Sequence, residues 1–149
     1  MTSYQHTQIG YLMLAVLATV ALFYFWIYGV IANEAGRAPA AAVMFFVVFI
    51  LASFSSLKIT INEQYLKIKF GYGIFRKNFP LNEITSVKSV KNHWYYGWGI
   101  RLWLWPRMWI FNVSGFDAVE ITMKNGKIYR IGTDVPAELE AAIKQSTNL

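Results

Sequence analysis

Two uncharged apolar runs near the N-terminus constrain this chain more than any other feature. Residues 9–32, "IGYLMLAVLATVALFYFWIYGVIA", contain no charged side chain over 24 positions. At ~1.5 Å per residue such a helix exceeds a ~30 Å hydrocarbon core and leaves room for tilt. Residues 40–57, "AAAVMFFVVFILASFSSL", add 18 uncharged positions. Both runs read as transmembrane helices. The first lacks a basic leader and is longer than the apolar stretch of a signal peptide, so it is expected to span rather than to be cleaved. Between the runs, residues 33–39, "NEAGRAP", hold Gly36 and Pro39, which disfavour helix interiors, and one charge of each sign. A helical hairpin with both ends on one side follows.

Charge orients the hairpin. Residues 58–149 carry 13 basic and 7 acidic side chains, and this excess accounts for the whole net charge of +6. Cytoplasmic loops carry an excess of lysine and arginine. The expected topology is therefore two spans, with both termini cytoplasmic and the turn outside. The domain division is 1–57 for the transmembrane hairpin, with helices at about 9–32 and 40–57, and 58–149 for a cytoplasmic domain. Cysteine is absent, which removes disulfides, thiol nucleophiles and zinc-thiolate sites.

After the hairpin the pattern changes to short strands. In "LKITINEQYLKIKF" two alternating runs are split at Asn62 and Glu63. "GYG" at residues 71–73 turns the chain into "IFRKNFPL", and "EITSVKSVK" follows with mixed faces. In "AVEITMKNGKIYRIG" Asn125-Gly126 separates two alternating runs, the strongest hairpin signal in the chain. The final element, "TDVPAELEAAIKQ", reads as a helix with Thr133 or Asp134 as cap, Pro136 in the first turn, and an apolar stripe of Leu139, Ala142 and Ile143. About seven strands and one helix suggest a small barrel with one end plugged.

Several separate motifs add to this pattern. They are Gly97-Trp98-Gly99-Ile100-Arg101, Asn112-Val113-Ser114-Gly115 with Asp117-Ala118-Val119-Glu120, and Arg130-Ile131-Gly132-Thr133-Asp134 with Pro136. Over roughly residues 57–143 the chain resembles the bacterial pleckstrin-homology-like (PH-like) domain of small membrane proteins. The resemblance implies an α+β fold: a seven-stranded, strongly bent sheet or barrel capped by a C-terminal helix. It also implies a place in the bacterial inner (cytoplasmic) membrane and a binding or scaffolding role rather than catalysis, although fold alone does not fix function.

The residues give no catalytic constellation. His6 and His93 have no spaced partners for a metal or a triad. Asp117 and Glu120, three apart on a strand, face opposite ways. "GYG" and "GWG" lack the strand–loop–helix setting of a phosphate loop. No enzyme activity, cofactor or metal is expected. Nucleic acid is not an expected partner either, because membrane orientation already accounts for the basic excess.

Two surfaces remain. Lys67, Lys69, Arg76 and Lys77 lie on two strands joined by the 71–73 turn and form an expected basic face, either solvated or attracted to anionic lipid. Five of the six tryptophans fall within residues 92–112. Read as a strand, "GIRLWLW" places Ile100, Leu102 and Leu104 on one face, toward the barrel interior. Arg101, Trp103 and Trp105 fall on the other, with Arg107 beyond Pro106. Arg101, Trp103, Trp105 and Arg107 are the expected partner or membrane interface. The expected function is a membrane-anchored adapter or accessory subunit that binds a protein partner or membrane complex at the lipid bilayer. The alternative is a sensor of anionic headgroups.

Overall fold

The computed structural model describes residues 2–31 and 34–149, with the side chains of residues 2 and 3 excepted. Two apolar helices near the N-terminus are followed by a sheet-rich region and a C-terminal helix. The elements are β1 (Thr2–Ile9), α1 (Tyr11–Val30), α2 (Glu34–Ala52), β2 (Ser56–Asn62), β3 (Tyr65–Phe70), β4 (Arg76–Pro80), β5 (Ile84–Lys91), β6 (Gly99–Leu104), β7 (Arg107–Asn112), β8 (Asp117–Met123), β9 (Ile128–Gly132) and α3 (Pro136–Thr147). The strands form two sheets, ordered β1-β2-β3-β4 and β5-β8-β9-β7-β6. The expectation was one bent sheet of about seven strands. Among the described residues there are instead nine strands in two packed sheets.

The ninth strand is the segment before the first helix. Residues Thr2 to Ile9 pair antiparallel with β2, from Thr2 opposite Asn62 to Ile9 opposite Ser56. Gln5, Thr7 and Ile9 face out while Gln8 is buried, and the Gln8 amide donates to the Ser114 carbonyl at 3.1 Å. The short polar "TSYQHTQ" therefore has a β pattern of its own. The two helices are inserted between neighbouring strands, so the chain before α1 and the chain after α2 lie on the same side of the hairpin. The sheet region draws on residues on both sides of the apolar runs, and residues 57 and 58 lie within β2.

The helices do not coincide with the uncharged runs. Ile9 belongs to β1, and α2 stops at Ala52, where Ser53 donates its hydroxyl to the Ile50 carbonyl at 2.5 Å and a turn leads into β2. A serine hydroxyl that satisfies a last-turn carbonyl competes with further helix. At the other end Glu34 to Pro39 are helical rather than a turn; Ala32 and Asn33 lie outside the described residues. Pro39 is tolerated near the helix start, where its missing N–H deprives only the Ala35 carbonyl. With 20 and 19 residues the two helices are each long and apolar enough to cross a bilayer. They pack against each other, and half-buried positions line α1 at Leu17, Val20 and Tyr24 and α2 at Ala40, Met44 and Val47. That stripe repeats every three to four residues, as close antiparallel helices require. Arg37 closes the far end, with its Nε 3.3 Å from the Ile31 carbonyl and its guanidinium 5.5 Å from the Tyr28 ring centroid.

Inward-facing residues of both sheets make one core: Leu57, Ile59, Leu66, Ile68, Phe70 and Phe79 from the first, and Phe111, Val119, Ile121 and Ile131 from the second. Leu139 and Ile143 of α3 are fully buried in it. Val135, not Thr133 or Asp134, occupies the N-cap position, and no side chain caps the helix. The two expected caps serve elsewhere: Asp134 pairs with His6 of β1 at 2.5 Å, and the Thr133 hydroxyl accepts from the Val135 N–H. The mixed faces of β5 have a local cause. A register shift between Ile84 and Ser86 lets Ile84 and Val87 both turn inward, although they are three apart.

Because β1 is integral to the first sheet, a fragment of residues 58–149 is expected to unfold without cooperativity, or at a stability lower by several kcal/mol, on the order of the lost ladder bonds. A chain in which a short Gly/Ser linker replaces residues 11–52, joining β1 to β2 directly, should unfold cooperatively. Urea titration of the two proteins followed by circular dichroism checks this.

Candidate interaction surfaces

The β6–β7 hairpin begins at a backbone knot. Gly97 and Gly99 have φ of 73° and 88°, which side chains disfavour, so the chain can turn sharply on either side of Trp98. The Trp98 indole N–H donates to the Gly115 carbonyl at 3.1 Å, and the Asn112 amide donates to that same oxygen at 2.9 Å. Asn112 also accepts from the Ser114 N–H, and its side chain fills the space beside Gly132 where a Cβ would stand. The residues of the sequence motifs thus hold the root of the hairpin.

From this root β6 and β7 run in register from Gly99 opposite Asn112 to Leu104 opposite Arg107. Trp105 and Pro106, joined by a cis peptide, form the tip. The alternation of β6 follows the sequence, but its consequences differ. Ile100, Leu102 and Leu104 do face the side of the core, yet only Ile100 packs on its margin; Leu102 is 41% exposed and Leu104 68%. The reason is topological. Strand β6 is the outermost strand of its sheet, bound to β7 alone, and the hairpin runs past the edge of the core. Trp109, opposite Leu102, shares this uncovered face.

The four expected interface residues occupy one hairpin but do different things. Trp105 is 89% exposed at the tip, and Arg107 is exposed beside it. Arg101 folds back, donating from Nε to the Trp98 carbonyl at 3.1 Å. Trp103 is half-buried: its ring lies 4.8 Å from that of Tyr96, and its indole N–H donates to the Trp105 carbonyl at 2.7 Å. With Tyr96, Met108, Ile110 and Ile128 it forms a second small core on the outer side of the sheet. Within the two strands and their tip, the exposed large apolar side chains are therefore Leu102, Leu104, Trp105 and Trp109, while Trp103 is half-buried.

The expected basic face also rearranges. Lys58, Lys67, Lys69 and Arg76 share the outer face of the first sheet, over a depression of ≈ 450 Å³ that Thr60 and Asn78 also line. Lys77 stands opposite Ile68 and therefore faces the other way, with its Nζ 6.0 Å from the Tyr129 ring centroid. Strand alternation already carries this result, since Arg76 and Lys77 are neighbours and cannot share a face. Lys58, which has the same phase as Lys67 across the β2–β3 pair, completes the set. Among the described residues no carboxylate pairs with any of the four.

The carboxylates are used elsewhere. Lys88, Glu120 and Arg130 stand side by side on β5, β8 and β9, with Glu120 3.0 Å from Lys88 and 2.8 Å from Arg130. Burial pushes the Glu120 carboxyl up, but hydrogen bonds and charge from Arg130 and Lys88 outweigh it and hold the group below its ordinary value. Glu140 of α3 accepts from Lys144 at 2.6 Å, and from the Ser89 N–H and hydroxyl on the edge strand β5 at 2.8 and 2.5 Å. Hydrogen bonds from Lys144 and then Ser89 lower it from 4.5 to about 2. Among the described residues no three histidine or acidic side chains converge as metal ligands.

No family model matches the chain, and neither a curated protein nor a solved structure matches it.

Both lowered carboxylates stabilise the fold above their ordinary value and lose that contribution as pH falls through the folded-state value. The midpoint of urea unfolding should therefore fall as pH drops from 4.5 toward about 2 through Glu140. Glu140→Gln should flatten this part of the profile, and Glu120→Gln should flatten the part due to the strand ladder.

Proposed function

We propose that the chain is a non-enzymatic, PH-like binding module anchored in the bacterial inner membrane by α1 and α2, acting as an adapter or accessory subunit for a membrane protein complex. The observation that carries this reading is the edge hairpin. Its far half leaves the core and presents Leu102, Leu104, Trp105 and Trp109 together, flanked by Arg107. Exposed apolar surface on an unpaired edge strand is costly in water and suits a partner that covers it, by added strand pairing or by side-chain docking. Tryptophan and arginine dominate such contacts once desolvated. Two packed sheets closed by a C-terminal helix support the PH-like assignment; β1, contributed from before the membrane helices, departs from it. A second reading, recognition of anionic headgroups, is favoured by the four cations on the outer face of the first sheet.

The charge distribution supports cytoplasmic termini. Since the chain has no cysteine, single cysteines are clean reporters. Ala35→Cys should react with an impermeant maleimide in intact cells and Asn148→Cys should not; the reverse pattern would overturn the orientation.

The adapter reading is tested by gentle detergent extraction and native mass spectrometry of the full chain. A stoichiometric protein partner should accompany the wild type and be lost from the Leu104→Ser/Trp105→Ser variant. That variant should keep its unfolding midpoint to within ~0.5 kcal/mol, as exposed substitutions do. Trp103→Ser should instead destabilise the domain by about 2 kcal/mol, below the ~3–5 kcal/mol of a fully buried ring. Retention of anionic lipid alone by the wild type would favour the headgroup reading.

A further inference from the structure

The β3–β4 turn, residues 71–75, is packed against the end of α2 more tightly than a solvent loop needs to be. The Tyr72 hydroxyl donates to the carbonyl of Phe49, within the last turn of the helix, and the two rings lie 5.3 Å apart. Phe75 stacks on Phe54 at 5.1 Å, and a Cβ at Gly71 would stand 2.5 Å from the Ser53 carbonyl oxygen. The turn is therefore held at the level of the helix end. Even so, its apolar side chains remain open: Tyr72 is 50% exposed, Ile74 55% and Phe75 37%.

Directly behind the turn lies an unusual row of charge. Lys58 stands opposite Lys69 in the β2–β3 pair, and Lys69 stands opposite Arg76 in the β3–β4 pair. Three cations in adjacent strands, directly opposite one another and without a carboxylate among the described residues, repel each other. The second sheet shows the compensated form of such a row, with Glu120 between Lys88 and Arg130. The Lys69 stem passes over Gly73, which has φ of 94°, so its ammonium lies over the turn rather than away from it.

We propose that this turn is a second membrane anchor: Tyr72, Ile74 and Phe75 enter the interface beside α2, and Lys58, Lys69 and Arg76 hold the phosphate of an anionic phospholipid. The inference rests on α1 and α2 spanning a bilayer. Given that, the turn sits where the helix leaves the hydrocarbon, the depth at which aromatic rings are favoured and headgroup phosphates are found. A lipid phosphate supplies the negative charge that the row lacks. The effect is to fix the tilt of the sheet region against the leaflet, which a flexible tether would leave free.

The test uses the full chain reconstituted in vesicles of phosphatidylcholine, with or without phosphatidylglycerol. Ile74→Cys carries an environment-sensitive fluorophore, and Asn125→Cys, at the end of β8 and β9 away from the helices, is the control. An alkaline wash comes first: a chain released by it ends the spanning reading itself. In chains that remain inserted, the residue 74 probe should shift to the blue and be quenched by spin-labelled lipid, while the residue 125 probe is quenched by aqueous iodide. Phosphatidylglycerol should deepen the lipid quenching at residue 74, high salt should reverse that gain, and Lys69→Gln/Arg76→Gln should abolish it without lowering the unfolding midpoint. A residue 74 probe open to iodide in inserted chains would overturn the anchor. Equal quenching in neutral and anionic vesicles would overturn the phosphate site, as would the same gain produced in neutral vesicles by soluble glycerol phosphate.

Discussion

The antiparallel ladder between β1 and β2 is the constraint on which the rest of the structure depends. It joins the residues before α1 to those after α2, with Ile9 opposite Ser56. The Gly10 N–H donates to the Ser55 carbonyl at 2.7 Å, immediately below the two helices. The helical hairpin is thereby rooted in a sheet rather than attached to it by one strand of chain. Gly10 is pressed there against Phe54 and Val113, with no room for a side chain. The position of every surface relative to the helices follows from this root: the turn at Tyr72 beside α2, and the knot of Trp98, Asn112 and Gly115 beside the start of α1.

The same ladder leaves the molecule with edges to manage, and it manages them unequally. On β5 the edge is covered by α3, where Glu140 accepts from the Ser89 N–H. On β6 no element among the described residues pairs with the edge, and the strand carries leucines on the side where a core would be if the first sheet reached that far. A free edge with apolar side chains is a liability unless it is used. That contrast between two edges of one sheet is the structural ground for assigning a partner to β6 rather than β5.

Two rows of charge make a similar contrast. Lys88, Glu120 and Arg130 alternate in sign; Glu120 and Arg130 are largely buried, with Arg130 against the Tyr96 ring at 5.6 Å, and Lys88 is exposed. Lys58, Lys69 and Arg76 have one sign and face outward. In the proposed setting the first row holds the second sheet to its own covering segment, and the second meets a leaflet that supplies the missing anion. In that setting membrane orientation would account for the abundance of basic residues after α2; register accounts for three of them being adjacent.

Much of this was legible in the sequence, because the signals are local. Uncharged length marks α1 and α2, alternation marks most of the strands, Asn125-Gly126 marks the β8–β9 turn, and Leu139 with Ile143 marks the buried face of α3. Alternation also separates Arg76 from Lys77. What the sequence could not carry is pairing between distant segments. A polar stretch such as residues 2–8 becomes a strand only because β2, on the far side of both helices in the sequence, offers it an edge. Leu102 and Leu104 become surface, and Trp103 half-buried, only because β7 pairs in parallel with β9 and leaves β6 outermost. Periodicity states which residues share a face, since that is fixed by the backbone of one segment. Whether that face meets a core, solvent or a partner depends on which strands lie beside it, and that is decided by tertiary packing alone.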